Sequence, residues 1–397
     1  MRRLDKARWL TDPDAGAVMA ALAAAGGPGA ARFVGGCVRD ALLDREVGDV
    51  DVATVLTPDQ VVAALGRAGL RAVPTGIAHG TVTAVSGRRP FEITTLRRDV
   101  STDGRRATVA FTDDWTEDAR RRDFHLNALY ADMAGTLFDP TGRGVDDALA
   151  GRIVFVGEAR RRIDEDHLRI LRFFRFFAWY GRGEPDTEAL TACADRVDGL
   201  GRLSAERVSH ELLRLLAAPD PTRAVDAMAA TGALAAVLGP EADPGRLRAL
   251  VPHADDPVLR LSTLLPDDPP QAEARARALR LSNAMVARLR AAAAPLAPGD
   301  RSARRTRALA YAEGVEAVRD RALKAGAVDL AAEIAGWTPP RLPVGGREVA
   351  RLGVPPGPET GAVLAAFERG WIADDFDMND VESRLAAAVR AVRASTR

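Results

Sequence analysis

The chain has 397 residues, 47% of them hydrophobic, and its 55 basic and 55 acidic side chains give a formal net charge of zero. This length exceeds what one hydrophobic core supports and predicts two to four domains. Two cysteines exclude a disulfide framework, the scattered histidines exclude a Cys/His metal cluster, and no apolar run is long enough to span a membrane. We therefore expect a cytoplasmic protein with reduced thiols, no membrane partner and no evident protein partner.

Short strand-like runs alternate with helices over the first 140 residues. An Ala-rich helix is predicted at residues 12–26 and a second helix at 58–68, after Thr57. Strands are predicted at residues 32–34, 49–54, 79–85, 91–96 and 137–139. After Gly151 the alternation ends, and Ala/Leu/Arg-rich helices broken by Gly/Pro stretches follow. The pattern predicts an α+β fold in which a small mixed sheet with helices precedes an all-α remainder.

A glycine turn follows the first predicted strand, where residues 34–40 read Val-Gly-Gly-Cys-Val-Arg-Asp. Gly35 and Gly36 allow backbone angles that a side chain would forbid, and a helix is predicted to begin near Val38. Successive amides at such a turn form a concavity suited to phosphate, and Arg39 adds donors one turn into the helix. Taken alone, the pattern is equally well explained as an ordinary strand-to-helix turn.

Two carboxylates follow at Asp49 and Asp51, in the sequence Gly-Asp-Val-Asp-Val of residues 48–52. Side chains alternate along a strand, so both carboxylates project from one face. They repel each other unless divalent cations lie between them, and Mg²⁺ prefers oxygen ligands and bridges to phosphate. A solvated edge strand would also explain an isolated Asp-x-Asp. Combined with the glycine turn, the pair predicts a site for a nucleoside triphosphate and magnesium, with Glu92 as a candidate third carboxylate.

Charges of both signs crowd residues 97–114, and we expect an exposed, mobile loop of the kind that closes over a substrate. Arg121 and Arg122 are predicted to open an amphipathic helix that runs to Leu129. One of the two arginines is expected to reach the nucleotide while the other pairs with acidic neighbours. The sequence leaves open which arginine does which.

Residues 165–176 read Glu-Asp-His-Leu-Arg-Ile-Leu-Arg-Phe-Phe-Arg-Phe and predict a helix. Asp166 and Arg169 are expected on one face, with Arg172 and Arg175 winding away around the helix. Adenine and cytosine both present an amino donor beside a ring-nitrogen acceptor, so an Asp–Arg pair matches both bases. Guanine and uracil present the reverse pattern, so the pair could select ATP and CTP. Surface ion pairs on an amphipathic helix are the alternative explanation.

With these blocks in this order, the chain resembles the class II tRNA nucleotidyltransferase and bacterial poly(A) polymerase family. The resemblance covers about the first 215 residues and rests on residues 34–40, 48–51, 121–128, 165–169 and 211–213. It implies a nucleotidyltransferase head at residues 1–150 and a helical neck with base recognition at 151–217. It further implies a helical body at 218–335 and a helical, RNA-binding tail at 336–397.

The resemblance also implies residue roles and a reaction. Asp49 and Asp51 would be catalytic and would ligate Mg²⁺. Nucleotide contacts fall to Gly35, Gly36, Arg39, Arg121, Arg122, Asp123, Asp166, Arg169, Arg172 and Arg175. The implied reaction is template-independent addition of C, C and A to the 3′ acceptor end of tRNA, from CTP and ATP by two-metal transfer. His125 departs from the pattern, since the family usually has threonine there.

Two alternatives stay open. Poly(A) addition from ATP alone shares the motifs, and a non-catalytic RNA-binding protein would carry a decayed head. The intact acidic pair and glycine turn speak against decay. Residues 270–324 hold twelve basic against five acidic residues. This excess is expected to form either a solvated helix face or a patch for the phosphate backbone of RNA.

Overall fold

The computed structural model of the protein describes residues 2–103 and 106–395. The chain divides into two compact units, Met1–Pro244 and Gly245–Arg397. The head, neck, body and tail segments expected from the sequence are a finer division, and their boundaries stay a prediction. Within the described ranges, no helix combines the length and apolar character needed to cross a membrane.

The first unit contains a mixed β-sheet. The strands described are β1 (Ala31–Val34), β2 (Asp51–Thr54), β3 (Arg71–Gly76), β4 (Thr81–Ser86), β5 (Arg89–Thr95), β6 (Arg97–Asp103), β7 (Arg106–Phe111), β8 (Tyr130–Ala131) and β9 (Leu137–Phe138). Seven of them form one sheet in the order β3-β4-β5-β2-β1-β8-β9. β2 and β5 are parallel, and the other neighbours are antiparallel. The predicted mixed sheet is confirmed.

The core of this sheet consists of the inward-facing residues of its central strands. Phe33, Val52 and Ile93 are fully or almost fully buried. Alternate side chains along a strand face opposite sides, so these positions fix which residues point away from the core. The central strands β1 and β2 therefore lead the glycine turn and the acidic pair out of one well-packed layer.

Several helices of the first unit begin at a capping side chain. The helices described in this unit are α1 (Pro13–Gly26), α2 (Gly36–Leu42), α3 (Pro58–Arg67), α4 (Trp115–Arg120), α5 (Gly144–Ala150), α6 (Ala159–Glu165), α7 (Leu168–Tyr180), α8 (Thr187–Asp195), α9 (Ala205–Leu216), α10 (Thr222–Ala230) and α11 (Ala233–Leu238). Asp12 accepts a hydrogen bond from the amide of Asp14 before α1, and Thr57 forms a capping box with Gln60 before α3. The helices predicted at residues 12–26 and 58–68 are confirmed, because their N-caps are local in sequence.

The predicted mobile loop at residues 97–114 is wrong for most of its length. Strands β6 and β7 form an antiparallel hairpin whose register pairs Arg97 with Phe111. The dense charge of both signs in this segment conceals any strand-like alternation in the sequence. Gly104 and Arg105, which belong to the predicted loop, lie outside the described residues.

Aromatic side chains pack α7 against the segment that follows the hairpin. The ring centroid of Phe124 lies 4.8 Å from that of Phe155 and 5.2 Å from that of Phe176. Phe173 stacks on Phe155 at 6.0 Å. These rings are buried, and aromatic burial contributes strongly to the stability of a core. α7 is therefore fixed to the sheet-bearing part of the same unit.

The second unit is helical throughout its described residues. Its helices are α12 (Leu247–Leu250), α13 (Pro257–Leu264), α14 (Pro269–Ala278), α15 (Asn283–Ala292), α16 (Ala303–Glu313), α17 (Val315–Lys324), α18 (Val328–Ala335), α19 (Gly346–Arg351), α20 (Pro358–Ala373) and α21 (Val381–Ser395). Val349, Val363, Phe367, Trp371 and Leu385 form a buried cluster among the last helices. A mixed sheet followed by helices is the fold class predicted from the sequence, which is confirmed.

Part of the basic excess at residues 270–324 is balanced inside the second unit. Arg288 forms ion pairs with Asp256 at 3.0 Å and with the fully buried Asp320 at 2.8 Å. Lys324 pairs with Asp267 at 3.0 Å. These cations therefore stabilise helix packing, and a patch for the RNA backbone in this region stays a prediction.

Candidate active site

The turn after β1 has the backbone geometry that requires glycine. Gly35 has φ +73° and caps α2, which begins at Gly36, two residues before the predicted start. The Gly35 amide donates to the Leu129 carbonyl at 3.0 Å, so this amide is not available to a phosphate. A Cβ on Gly35 would lie 3.5 Å from Nη1 of Arg122, so the missing side chain leaves room beside that guanidinium. The turn is thus an open corner next to an arginine.

Asp49 and Asp51 lie where β2 begins. The strand starts at Asp51, so the prediction that Asp49 is also in the strand is wrong. Val50 and Val52 are nonetheless buried, as alternation requires, while Asp51 is half-buried and Asp49 exposed. Pairing with β1 and β5 holds the chain from Asp51 onward, and the register described for β2 begins at this residue.

The acidic pair carries unbalanced negative charge. Glu92 on β5 stands directly beside Asp51 in the parallel register. Burial, together with repulsion from Glu92 and Asp49, raises the pKa of Asp51 to about 6, against the opposing effect of Arg122. Carboxylate oxygens that repel each other at a surface are suited to a hard divalent cation. The described residues contain no group of three or more side chains with metal-holding geometry, so further ligands would have to come from phosphate or water.

Arg39 is held by groups of this chain. It is only 6% exposed. Its Nε and Nη2 donate to the Asp40 carboxylate at 2.9 and 2.8 Å, and its Nη1 donates to Asn127 at 2.6 Å. Nη2 also donates to the Tyr180 hydroxyl at 2.6 Å. Sequence reasoning missed both Asn127 and Tyr180, because each is far from Arg39 along the chain.

Arg121 and Arg122 share one buried carboxylate. Arg121 Nε donates to Oδ1 of Asp118 at 2.7 Å, and Arg122 Nε and Nη2 donate to Oδ2 at 3.2 and 3.0 Å. The Tyr130 hydroxyl donates to the same Oδ2 at 2.7 Å. Although burial opposes it, the two guanidinium groups lower the pKa of Asp118 to about 2. Of the two arginines, Arg122 is the one beside the glycine turn.

The helix predicted to begin at these arginines is wrong. α4 ends at Arg120, and Phe124 is extended, with φ −124° and ψ 149°. Phe124 forms a β-bridge with Phe155, and the His125 amide donates to the Val154 carbonyl at 3.1 Å. Pairing with a distant segment thus overrides a helical apolar pattern.

His125, the departure from the family pattern, does not line the cleft described below. Its side chain is buried, and its Nδ1 finds no hydrogen-bond partner among the described residues. Burial lowers the pKa of His125, despite the opposing influence of Asp147, so the ring is neutral at pH 7. His125 is therefore a buried residue outside the cleft.

Asp123 accepts hydrogen bonds from two other residues that line the cleft, Asn127 and Arg172. Its Oδ1 accepts from Asn127 at 3.0 Å, and its Oδ2 accepts from Arg172 Nε at 2.8 Å. Burial alone would raise the pKa of Asp123, but the Arg172 guanidinium holds it well below its usual range. Arg175 is likewise fixed, since its Nε donates to the buried Glu211 carboxylate at 2.5 Å. Both arginines thus stand in fixed positions along α7.

The predicted continuous helix over residues 165–176 is interrupted. α6 ends at Glu165 and α7 begins at Leu168, so Asp166 is extended and precedes the helix. Asp166 Oδ1 accepts from the Leu168 amide at 3.1 Å, which caps α7. Its Oδ2 accepts from Arg207 on α9 at 2.6 Å. Arg169 donates from Nη1 to the Arg162 carbonyl at 2.7 Å.

One cleft of about 720 Å³ in the first unit brings the predicted site residues together. Its lining includes Asp49 and Asp51 and all the predicted nucleotide contacts: Gly35, Gly36, Arg39, Arg121, Arg122, Asp123, Asp166, Arg169, Arg172 and Arg175. The lining residues that sequence reasoning missed include Asn127, Tyr180, Arg207 and Arg214. A cleft of this size accommodates a nucleotide.

Comparison with known families shows which proteins the chain resembles. Residues 31–154 match the family described as "Poly A polymerase head domain". Residues 184–245 match "Probable RNA and SrmB- binding site of polymerase A". These matches cover the sheet with its acidic pair and the helices after α7. The resemblance to the class II tRNA nucleotidyltransferase and poly(A) polymerase family is therefore confirmed.

Individual relatives narrow the resemblance to CCA-adding enzymes. The human mitochondrial CCA tRNA nucleotidyltransferase 1 is 46% identical over 191 residues, which are 47% of this chain and 43% of that protein. The CCA-adding enzyme of Geobacillus stearothermophilus is 39% identical over 206 residues, which are 51% of this chain and 49% of that protein. The match thus spans about half the length of these curated relatives.

Solved structures are similar over nearly the whole chain. The Bacillus stearothermophilus CCA-adding enzyme in complex with CTP has a TM-score of 0.74 and 27% identity, covering 97% of this chain and all of the other. The Thermotoga maritima CCA-adding enzyme complexed with tRNA has a TM-score of 0.73 and 21% identity, covering 100% and 99%. The second likeness concerns the fold alone.

Proposed function

We propose that the chain is a template-independent nucleotidyltransferase that adds C, C and A to the 3′ acceptor end of tRNA from CTP and ATP. The oxygen of the RNA 3′-hydroxyl forms a bond to the α-phosphorus, and its proton is lost to solvent. The bond between the α-phosphorus and the oxygen that bridges it to the β-phosphorus breaks, and pyrophosphate leaves. The single observation that carries the proposal is the cleft, which combines the acidic pair with Asp166 and Arg169. The CTP complex of a similar CCA-adding enzyme and the tRNA nucleotidyltransferase named among the sequence relatives support the choice of substrates.

We assign Mg²⁺ to Asp49 and Asp51. The donor set fits this ion, because the two carboxylates repel each other and offer hard oxygen ligands. A bound divalent cation would neutralise triphosphate charge and lower the pKa of the attacking hydroxyl. Glu92 stands beside Asp51 and adds to the negative potential that attracts the ion. Magnesium is the expected cation because it binds phosphate oxygens and carboxylates together.

The triphosphate lies along the glycine turn in this proposal. Gly35 keeps the corner open, and Arg122 provides the guanidinium nearest to it. Asp118 forms an ion pair with Arg122, so the position of this guanidinium is fixed before the nucleotide binds. Such preorganised charge lowers the barrier of a transfer that needs positioning more than bond-making chemistry from the protein.

Base selection falls to Asp166 and Arg169. Asp166 accepts from the amino group that adenine and cytosine share, and Arg169 donates to the adjacent ring nitrogen. The hydrogen bond from Arg207 to Oδ2 of Asp166 orients this carboxylate. Guanine and uracil would bring a carbonyl toward the carboxylate and an N–H toward the guanidinium, leaving buried polar groups unpaired.

The test uses the purified full chain with tRNA that lacks its terminal CCA, Mg²⁺ and labelled nucleotides supplied singly and together. Sequencing of the products should show C, C and then A. tRNA that already ends in CCA is the control and should receive nothing further. Runs of A from ATP alone would establish a poly(A) polymerase instead, and tRNA binding without transfer would establish a non-catalytic RNA-binding protein.

A cytoplasmic location stays a prediction from sequence. The similar human enzyme is mitochondrial, so the family does not fix the compartment. Fractionation of the source cells and detection of the chain with an antibody would decide it.

A further inference from the structure

The helix α7 connects two parts of the cleft that a nucleotide would have to touch at once. Arg169, in its first turn, lines the cleft next to Asp166. Tyr180 is its last residue and lines the same cleft. A helix of 13 residues is about 20 Å long and rigid on this scale. Any shift at the Tyr180 end is therefore transmitted to the Arg169 end.

The Tyr180 ring contacts two arginines, one in α2 and one in the segment before Asp49. The Arg39 guanidinium carbon is 4.1 Å from the ring centroid, and Arg39 Nη2 donates to the hydroxyl at 2.6 Å. The Arg45 guanidinium carbon is 4.6 Å from the same centroid. Arg39 is in α2, which the glycine turn opens, and Arg45 is in the segment that leads to Asp49. One side chain thus contacts both elements.

The other end of α7 has its own connection to the arginine pair. Arg162, in the preceding helix α6, donates from Nη2 to the Arg122 carbonyl at 2.9 Å. Arg172 donates to Asp123 at 2.8 Å. Of these side chains, Arg172 and Tyr180 belong to α7 itself, and they connect it to Asp123 and to Arg39. The buried rings of Phe173 and Phe176 already hold the middle of α7 against Phe155 and Phe124, so the Tyr180 contacts set the fine alignment of its C-terminal end.

We propose that Tyr180 is a positioning residue that aligns the base-recognition end of α7 with the glycine turn and the acidic pair. This inference rests on the proposed function. Asp166 and Arg169 can discriminate between bases only when the bound phosphates and the base meet them simultaneously. Without the Tyr180 contacts, the C-terminal end of α7 shifts slightly, so correct nucleotides lose their alignment, whereas wrong nucleotides, which are poorly aligned already, lose less. We therefore expect the ratio of correct to wrong nucleotide incorporation to fall while the unfolding temperature changes little.

The experiment compares Tyr180→Phe, which loses only the hydroxyl, with Tyr180→Leu, which also loses both ring contacts. Single-nucleotide additions of CTP, ATP, UTP and GTP to tRNA without CCA give kcat and KM for each. For Tyr180→Phe we expect kcat/KM for CTP and ATP to fall about tenfold, equivalent to about 1.4 kcal/mol. The ratio of correct to wrong incorporation should fall as well, and Tyr180→Leu should exceed both effects.

Trp179→Phe is the matched control. Trp179 precedes Tyr180, and its indole donates to the Arg214 backbone carbonyl on α9 at 2.7 Å, so the substitution also removes one aromatic hydrogen bond. We expect its selectivity to equal that of the wild type. Thermal unfolding of all variants monitors the fold, and Tyr180→Phe should unfold within a few degrees of the control.

The outcomes separate this inference from the proposed function. Wild-type selectivity in both Tyr180 variants, with an active wild-type enzyme, would overturn the positioning role alone. A uniform loss for all four nucleotides, accompanied by an equal loss of thermal stability, would also overturn it, because a purely structural contact gives that result. A wild-type protein that transfers no nucleotide would overturn both proposals. If Tyr180→Leu does not fold, Tyr180→Phe decides.

Discussion

Replacing Asp51 by asparagine should stabilise the metal-free protein while abolishing nucleotide transfer. In the fold, burial and repulsion from Glu92 and Asp49 raise the pKa of Asp51 from 3.8 to about 6. A difference of about two units, at about 1.36 kcal/mol per unit, means that the ionised carboxylate destabilises the fold by about 3 kcal/mol at neutral pH. Asparagine has nearly the same shape and no charge, so most of this penalty disappears.

The expected gain in unfolding free energy is about 1–3 kcal/mol, which raises Tm by about 2–10 °C for a unit of this size. The gain has a defined pH dependence. Below about pH 4 the carboxyl group is protonated in both the folded and the unfolded state, and asparagine has no advantage. The advantage grows as pH rises through about 6 and is constant above it.

Calorimetry in chelator across pH 4 to 8, and again with Mg²⁺, measures these effects. Mg²⁺ should raise the Tm of the wild type and leave Asp51→Asn unchanged. Transfer should fall by more than about a thousandfold. Asp49→Asn is the control, because Asp49 is exposed: its activity should fall equally, with a smaller gain in Tm, since it removes only the Asp49 share of the repulsion on Asp51. An Asp51→Asn protein that is less stable than the wild type, or that still transfers nucleotides, would refute the reasoning.

Two further substitutions test the proposed site. Asp166→Ala should retain tRNA binding, by filter assay, yet accept GTP and UTP; unchanged rejection of both would contradict the base-recognition role. Asp118→Asn should lower unfolding free energy by about 3–5 kcal/mol at pH 7, because Arg121 and Arg122 lose their buried partner. Since the pKa of Asp118 is lowered to about 2, the wild type's advantage is complete above about pH 4. It declines as pH falls toward 2, and an advantage independent of pH would argue against the ion pair.

The sequence was sufficient to predict the parts of the site whose geometry is set locally. The glycine turn at Gly35 and the carboxylates at Asp49 and Asp51 depend on a few consecutive residues, and the cleft contains them as predicted. Although Asp166 precedes α7 instead of lying within it, the capping bond to Leu168 keeps it near Arg169. The prediction that Asp166 and Arg169 lie in the same site is therefore consistent with the cleft, although the predicted continuous helix is not what brings them together.

The failures have a common physical origin in contacts between distant segments. A helix beginning at Arg121 fits the apolar spacing, but the bridge between Phe124 and Phe155 replaces it. Tyr180 carries no local pattern that marks it, because its significance arises from Arg39, far away along the chain. Such pairings depend on how the sheet and α7 pack, which periodicity in one segment cannot specify.

The arginines of the cleft have consequences for small anions. Arg122 shares Asp118, Arg172 shares Asp123, and Arg175 shares Glu211. A sulfate or free phosphate must compete with a carboxylate that is already in place, so it gains little on entering. A ligand overcomes this competition by bringing its own cations and a matching base. We therefore expect sulfate and free phosphate to bind weakly at these arginines, since each arginine already has a carboxylate partner.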